Sequence, residues 1–275
     1  MGLDKEELER YNRNILLSGV DEAGQQKLKN AKVLVVGAGG LGSPVLFYLA
    51  AAGVGEIGIC DGDSVDLSNL QRQILHRTQD IGINKAESAK AKLEALNPNI
   101  CIKIFKERLN ATNALRIIGD YDLVVESTDA FASKFLINDA CVLGGKILVR
   151  ASALHFCGQA MSIKPKESAC YACLFDSPPQ EEMPTGASVG ILGAVAGLFG
   201  CIQANEAIKI ITGVGEPLFD KFLSCDIRDM EFRKISIKRN PKCKICGENG
   251  ITSLEACHAI FPAYFAFRLP LNKDF

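Results

Sequence analysis

A chain of 275 residues that is 48% hydrophobic can bury a full core, and its length suits one large domain, alone or with a small appendage. With 31 basic and 32 acidic residues the net charge is −1, which gives no electrostatic footprint for nucleic acid or for an anionic membrane. The charged start MGLDKEELERYNRN is unlike a signal peptide, and no apolar run of about 18 residues escapes interruption, so a cytoplasmic protein is expected.

Residues 1–30 read as a helical arm. Lys32–Val36 is a short β-branched run, followed by Gly37-Ala38-Gly39-Gly40-Leu41-Gly42 and an apolar stretch to Ala52, which together predict strand, glycine turn and helix. A second strand at Ile57–Cys60 ends on Asp61. The polar stretch from Gly62 to Asn84 precedes a helix over Lys85–Leu96 and far exceeds the usual βα connection of roughly 2–6 residues, so it is expected to carry function.

Strands at Ile100–Phe105, Leu123–Glu126 and Ile147–Val149 alternate with helices at Thr112–Ile118 and Phe131–Leu143, the pattern of a parallel, doubly wound sheet. After Ala151, short strands at Gly158–Ile163 and within Phe222–Ile237 flank a buried, glycine-rich helix at Gly190–Ile211 and predict an antiparallel continuation. The expected fold class is α/β, a Rossmann-type sheet, with residues 31–247 as one continuous domain and residues 248–275 as a C-terminal extension of unassigned role.

The spacing of Gly37, Gly39 and Gly42 lets backbone approach a phosphate at a helix N-terminus, where free N–H groups and the macrodipole favour an anion. Asp61 stands where an acid commonly accepts from a ribose hydroxyl, so on these residues alone a dinucleotide and ATP read equally well. Cations separate them: a triphosphate carries far more charge than the roughly half charge of a helix terminus balances. The candidates are Arg10, Arg13, Arg72 and Lys85. Asp129, beyond the strand Leu123–Glu126, reads either as a site acid or as a cap for the helix near Phe131. His76 reads as a surface or packing residue without a role.

Cysteine usage points to metal rather than disulfides. Cys170/Cys173 and Cys243/Cys246 are two CxxC pairs far apart in sequence, a strong pattern for a closed, structural zinc site with four thiolate ligands; a redox CxxC is the rival reading, disfavoured because two such pairs rarely coexist without metal. Cys101, Cys141 and Cys201 fall in apolar patterns and are expected to be small buried thiols.

Arg10-Tyr11-Asn12-Arg13, the Gly37–Gly42 loop, Cys60-Asp61-Gly62-Asp63, Leu67–Gln73, Lys85, Ser127-Thr128-Asp129 and the CxxC pairs occur in this order. As a set they resemble the MoeB/ThiF family of sulfur-carrier adenylyltransferases, bacterial relatives of ubiquitin-activating enzymes, over nearly all of residues 8–247. The resemblance implies a homodimer that uses ATP and Mg2+ to adenylate the C-terminal Gly-Gly carboxylate of a ubiquitin-like sulfur carrier, for thiamine or molybdenum-cofactor biosynthesis. It implies nucleotide contacts from Gly37, Gly39, Gly40, Gly42, Asp61, Asp63, Asn69 and Gln73, with Asp61 on the ribose. Arg72 and Lys85 would hold the phosphates, Arg13 would reach into the neighbour's site, and Asp129 would be the magnesium-linked acid.

Three positions depart from the family pattern. Gly186, in a crossover loop expected at 181–187, stands where some relatives carry a covalent cysteine, which implies release of the acyl-adenylate to a separate sulfurtransferase. Ala130 and Lys134 stand where Asn and Arg are frequent. The alternatives are an NAD-dependent oxidoreductase and a non-catalytic scaffold of the same fold.

Overall fold

The computed structural model describes residues 2–175 and 186–254. Three short helices open the chain, α1 (Lys5–Arg10), α2 (Asn12–Ile15) and α3 (Asp21–Asn30). Asp4 caps α1 in a capping box with Glu7, satisfying amides that the first turn leaves unpaired. Tyr11, at the junction of α1 and α2, is buried, and its hydroxyl accepts from Asn97 Nδ2 at 2.8 Å, which anchors this region to the body.

The remaining elements are β1 (Lys32–Val36), α4 (Gly42–Ala51), β2 (Glu56–Cys60), α5 (Lys85–Leu96), β3 (Cys101–Phe105), α6 (Ala114–Gly119), β4 (Leu123–Glu126) and α7 (Phe131–Gly144). They continue with β5 (Ile147–Leu154), β6 (Cys157–Ile163), α8 (Tyr171–Leu174), α9 (Gly186–Val189), α10 (Gly193–Thr212), β7 (Lys221–Asp226) and β8 (Glu231–Ser236). The strands form one eight-stranded sheet in the order β3-β2-β1-β4-β5-β6-β7-β8. β1 to β5 run parallel, and β6, β7 and β8 are added antiparallel. The mixed α/β architecture expected from the alternation of apolar runs and glycine turns is therefore observed.

Helices cover both faces because the inner strands are apolar on both sides. Leu34 and Val124 face a cluster with Ile137 and Cys141 of α7, whereas Val33 and Val35 face one with Leu46 and Leu49 of α4 and Ala207 of α10. α10 is the one helix among the described residues long and apolar enough to cross a membrane, yet it packs along α4, β5 and β6. It is a core helix here.

Three expectations shift. β5 continues to Leu154 rather than stopping at Val149, because Arg150 is accommodated inside the sheet. α10 begins at Gly193 rather than Gly190: Gly190 adopts φ +87°, and Ile191 bridges to His155 beside β5. Cys101 is exposed, not buried, since β3 is an edge strand and its first side chain points out, whereas Cys141 is buried and Cys201 is half-buried.

β1 lies between β2 and β4, so the connections leaving β1 and β4 diverge at their carboxyl ends. In open α/β sheets, ligands bind at such a switch point.

Candidate nucleotide and metal sites

A cavity of about 860 Å³ opens at the carboxyl ends of β1, β2, β4 and β5. Its floor is the glycine loop. Gly37 has φ +96°, and a Cβ there would stand 2.7 Å from Ser127 O, while a Cβ on Gly42 would lie 1.9 Å from Gly37 O. Only glycine permits this tight passage from β1 into α4, which leaves the backbone of Gly39 and Gly40 bare to the cavity.

Asp61, after β2, is tied to this loop. Its carboxylate accepts from Ala38 N at 2.8 Å and from Asp63 N at 2.9 Å. Burial pushes its pKa up, while Lys85 and those two amides pull the other way. Asp63 is half-buried; burial would raise its carboxyl, but Arg108 and Lys85 outweigh that and hold it below the usual range. Arg108 bonds Asp63 Oδ1 through Nη2 at 2.6 Å and Nε at 3.2 Å, and Lys85 Nζ lies 3.4 Å from Oδ2.

The overlong connection wraps beside the cavity. Asn84 caps α5 and also donates to Asp61 O at 3.2 Å and Asp63 O at 3.1 Å, which fixes Lys85, the first residue of the helix, against the Asp61–Asp63 turn. Arg72 and Gln73 also line the cavity. Gln73 is buried, and its Oε1 has no hydrogen-bond partner among the described residues. A polar atom left in that state calls for a ligand or water donor.

His76 is buried in the same connection, with Nε2 2.8 Å from Ala38 O and Nδ1 2.8 Å from Ser88 Oγ. It braces the glycine loop, and burial lowers its pKa. Above the unfolded value of about 6.5 both states hold a neutral ring; below it the unfolded chain takes a proton that the native site resists, so stability is lost on acidification. His76→Gln is therefore expected to flatten the loss of stability between about pH 7 and about pH 5.5 in urea unfolding; equal slopes would count against this account.

Asp129 is exposed to the cavity from the loop after β4. The N-cap of α7 is Ala130, so Asp129 is not that helix's cap. Gly37, Gly39, Gly40, Asp61, Asp63, Arg72, Gln73, Lys85 and Asp129 are thus brought together. Asn69 is not among the lining residues: its side-chain oxygen accepts from Asp66 N, closing a 3-10 turn. Arg10 is turned to Leu96 O and Glu6, and Arg13 is exposed on α2, both away from the cavity lining. Sequence reasoning missed Arg108, which no local motif marks, and Asn84, which its position before α5 could have flagged.

The four cysteines Cys170, Cys173, Cys243 and Cys246 converge with all Sγ atoms within 4.8 Å of one another. Sγ–Sγ separations of 3.8, 3.7 and 3.4 Å for Cys170–Cys173, Cys170–Cys243 and Cys173–Cys246 suit a tetrahedral ion, whose Zn–S bonds of about 2.3 Å set edges near 3.8 Å. Backbone amides of Asn240 and Ile245 point at Cys173 and Cys243 sulfurs, both at 3.4 Å, as thiolates require. The set fits zinc with no open ligand position. Cys257 and most of the 248–275 extension lie outside the described residues, as does most of the crossover at 181–187.

The profile of the ThiF family matches residues 11–245. The chain is 44% identical over 250 residues to the sulfur carrier protein adenylyltransferase of Thermus thermophilus, covering 89% of this chain and 92% of that one. It is 41% identical over 256 residues to the SAMP-activating enzyme E1 of Haloferax volcanii, covering 93% and 94%. The crystal structure of E. coli MccB with ATP is similar in fold, with a TM-score of 0.76 and 28% identity over 86% of this chain and 74% of that one.

Proposed function

The chain belongs to the ThiF family, and from that premise we propose that it uses ATP to adenylate the C-terminal Gly-Gly carboxylate of a ubiquitin-like sulfur-carrier protein. The observation that carries this reading is the meeting of the glycine loop, the cations Arg72, Lys85 and Arg108, and the carboxylate Asp129 around one cavity. A nicotinamide dinucleotide would leave that cation set without a purpose.

The attacking carboxylate is ionised at neutral pH, so no general base is needed. It attacks the α-phosphorus of ATP, the bond to the β-phosphate oxygen breaks, and pyrophosphate leaves. The obstacle is repulsion between two anions and the charge gathered on the leaving group. Backbone N–H groups of Gly39 and Gly40 at the start of α4 receive phosphate, and Asp61 receives the ribose. Arg72 and Lys85 take the charge of the leaving group; Lys85 is prealigned by its contact with Asp63. Mg2+, when bound, adds charge neutralisation on the phosphate oxygens, and Asp129 is the acid that would hold it.

Arg13 completes this site from a second copy of the chain. Its exposed place on α2, outside the lining of its own cavity, fits a residue that serves a neighbour. Arg13→Ala and Asp129→Ala proteins, each slowed on the order of 10²-fold or more alone, are therefore expected to regain activity when mixed and allowed to exchange subunits. A mixture that stays as slow would oppose the shared site.

The carrier serves thiamine or molybdenum-cofactor synthesis, and a separate sulfurtransferase consumes the acyl-adenylate. ATP–pyrophosphate exchange with candidate carriers, each beside a version lacking the two glycines, tests the function. Exchange that depends on those glycines is expected. ATP binding without exchange for any carrier would favour a scaffold.

A further inference from the structure

Behind the Asp129 loop lies a buried charge cluster that the reaction as described does not use. Glu126 at the end of β4, Lys134 in α7 and Arg150 in β5 are 0%, 3% and 1% exposed. Glu126 and Arg150 are register partners on neighbouring strands, and Arg150 Nε lies 3.5 Å from Glu126 Oε2. The Arg150 guanidinium stacks 3.8 Å from the Tyr171 ring centroid, and none of its nitrogens finds a hydrogen-bond acceptor among the described residues. Two buried cations therefore share one carboxylate, whose geometry is correspondingly tightly set.

That carboxylate reaches the site loop. Glu126 Oε1 accepts from Thr128 N at 2.7 Å and from Thr128 Oγ1 at 2.6 Å. Lys134 Nζ lies 3.4 Å from the same Oε1, donates to the Thr128 carbonyl, and lies 3.5 Å from Ala151 O. From the other face, Gln203 of α10 donates to Glu126 O at 2.6 Å and accepts from Ser127 Oγ at 3.3 Å. Both polar backbone groups of Thr128 are thus held. The Thr128 carbonyl belongs to the peptide plane that carries the Asp129 amide, so fixing that oxygen fixes the plane from which Asp129 departs.

Lys134 also borders the cavity, where a lysine would ordinarily be taken for a phosphate ligand. An ammonium has only three protons, and three acceptors among the described residues surround this one. We infer that Lys134 is a positioning residue for Asp129, which orients the loop after β4 through the Thr128 carbonyl and Glu126 and does not bind phosphate itself. This rests on the adenylation reading for its kinetic consequence but not for its structural one.

Lys134→Met, Lys134→Arg and Thr128→Ala, compared in the full-length protein, test it. In carrier-dependent ATP–pyrophosphate exchange, Lys134→Met is expected to lower kcat on the order of 10²-fold, the cost of misplacing a reacting group by about 1 Å. The KM for ATP stays within about twofold, and the Mg2+ concentration for half-maximal rate rises. Lys134→Arg keeps donors for Glu126 and the Thr128 carbonyl and restores most of kcat. Thr128→Ala removes one anchor without emptying the core, and it serves if Lys134→Met does not fold.

Amide hydrogen exchange gives the second readout. Faster exchange confined to residues 127–133 is expected in Lys134→Met and Thr128→Ala, whether or not any carrier supports turnover. A raised KM with unchanged kcat would make Lys134 a phosphate ligand and overturn the inference. So would unchanged exchange in residues 127–133. Absence of turnover in the unsubstituted protein would instead reject the adenylation reading, and amide exchange would still decide the role of Lys134.

Discussion

Replacing Asp129 with alanine is expected to leave ATP binding within a few-fold and to lower carrier-dependent pyrophosphate exchange on the order of 10²–10³-fold, the usual cost of losing one transition-state contact. Asp129 is an exposed carboxylate bordering the cavity, on the loop that leaves β4 at the switch point of the sheet. It is neither packed in the core nor the cap of α7. Its removal should therefore change folding stability by no more than about 0.5 kcal/mol, as for an ordinary surface substitution. A large fall in rate with an unchanged Tm assigns the loss to chemistry. A rate within a few-fold of the unsubstituted protein would remove Asp129 from the reaction.

Loss of the metal has the largest expected effect on stability. Cys170 and Cys173 follow β6, whereas Cys243 and Cys246 lie in the turns after β8, so one ion held by all four would close a loop of some seventy residues that includes the crossover and α10. Such a cross-link acts on the unfolded chain as a disulfide does, and metal-binding free energy adds directly to folding free energy. Cys243→Ser is expected to abolish stoichiometric zinc and to lower Tm by on the order of 10 °C, equivalent to several kcal/mol for a chain of this size. Elemental analysis and a melting curve check both. A zinc-free protein that melts at the same temperature as the native one would show that the four thiols need no ion. The damage should also spread towards the nucleotide site, because Tyr171 lies between two of the ligands and carries the stacked Arg150 guanidinium.

What can be read from the sequence is what local chemistry encodes. Lys32–Val36 followed by three spaced glycines predicts strand, tight turn and helix, and the structure has each within a residue or so of its expected bounds. The CxxC spacing announces a ligand set, since two such pairs rarely coexist without metal. Contacts between distant segments are beyond reach. The strand expected at Ile147–Val149 stops short of Arg150, whose counter-charge, Glu126, sits on a neighbouring strand with a long connection between them. Arg108 bears no motif and matters only because its stem turns back onto Gly62 and Asp63. Cys101 reads as buried from an apolar run, but the run belongs to the sheet edge, which alternation over so few residues does not reveal.

The same limit applies to the cation set. Arg10, Arg13, Arg72 and Lys85 are equivalent as charges in a sequence, yet only Arg72 and Lys85 reach the cavity of their own chain. Arg10 is held by the C-terminal carbonyl of α5, at Leu96.

The most direct test of the adenylation reading is intact-mass spectrometry of a Gly-Gly carrier after incubation with this protein, ATP and Mg2+, quenched in acid. A carrier species heavier by one adenylyl group is expected, absent with the carrier lacking its last two glycines and strongly diminished with Asp129→Ala. A carrier of unchanged mass, under conditions where the protein binds ATP, would contradict it.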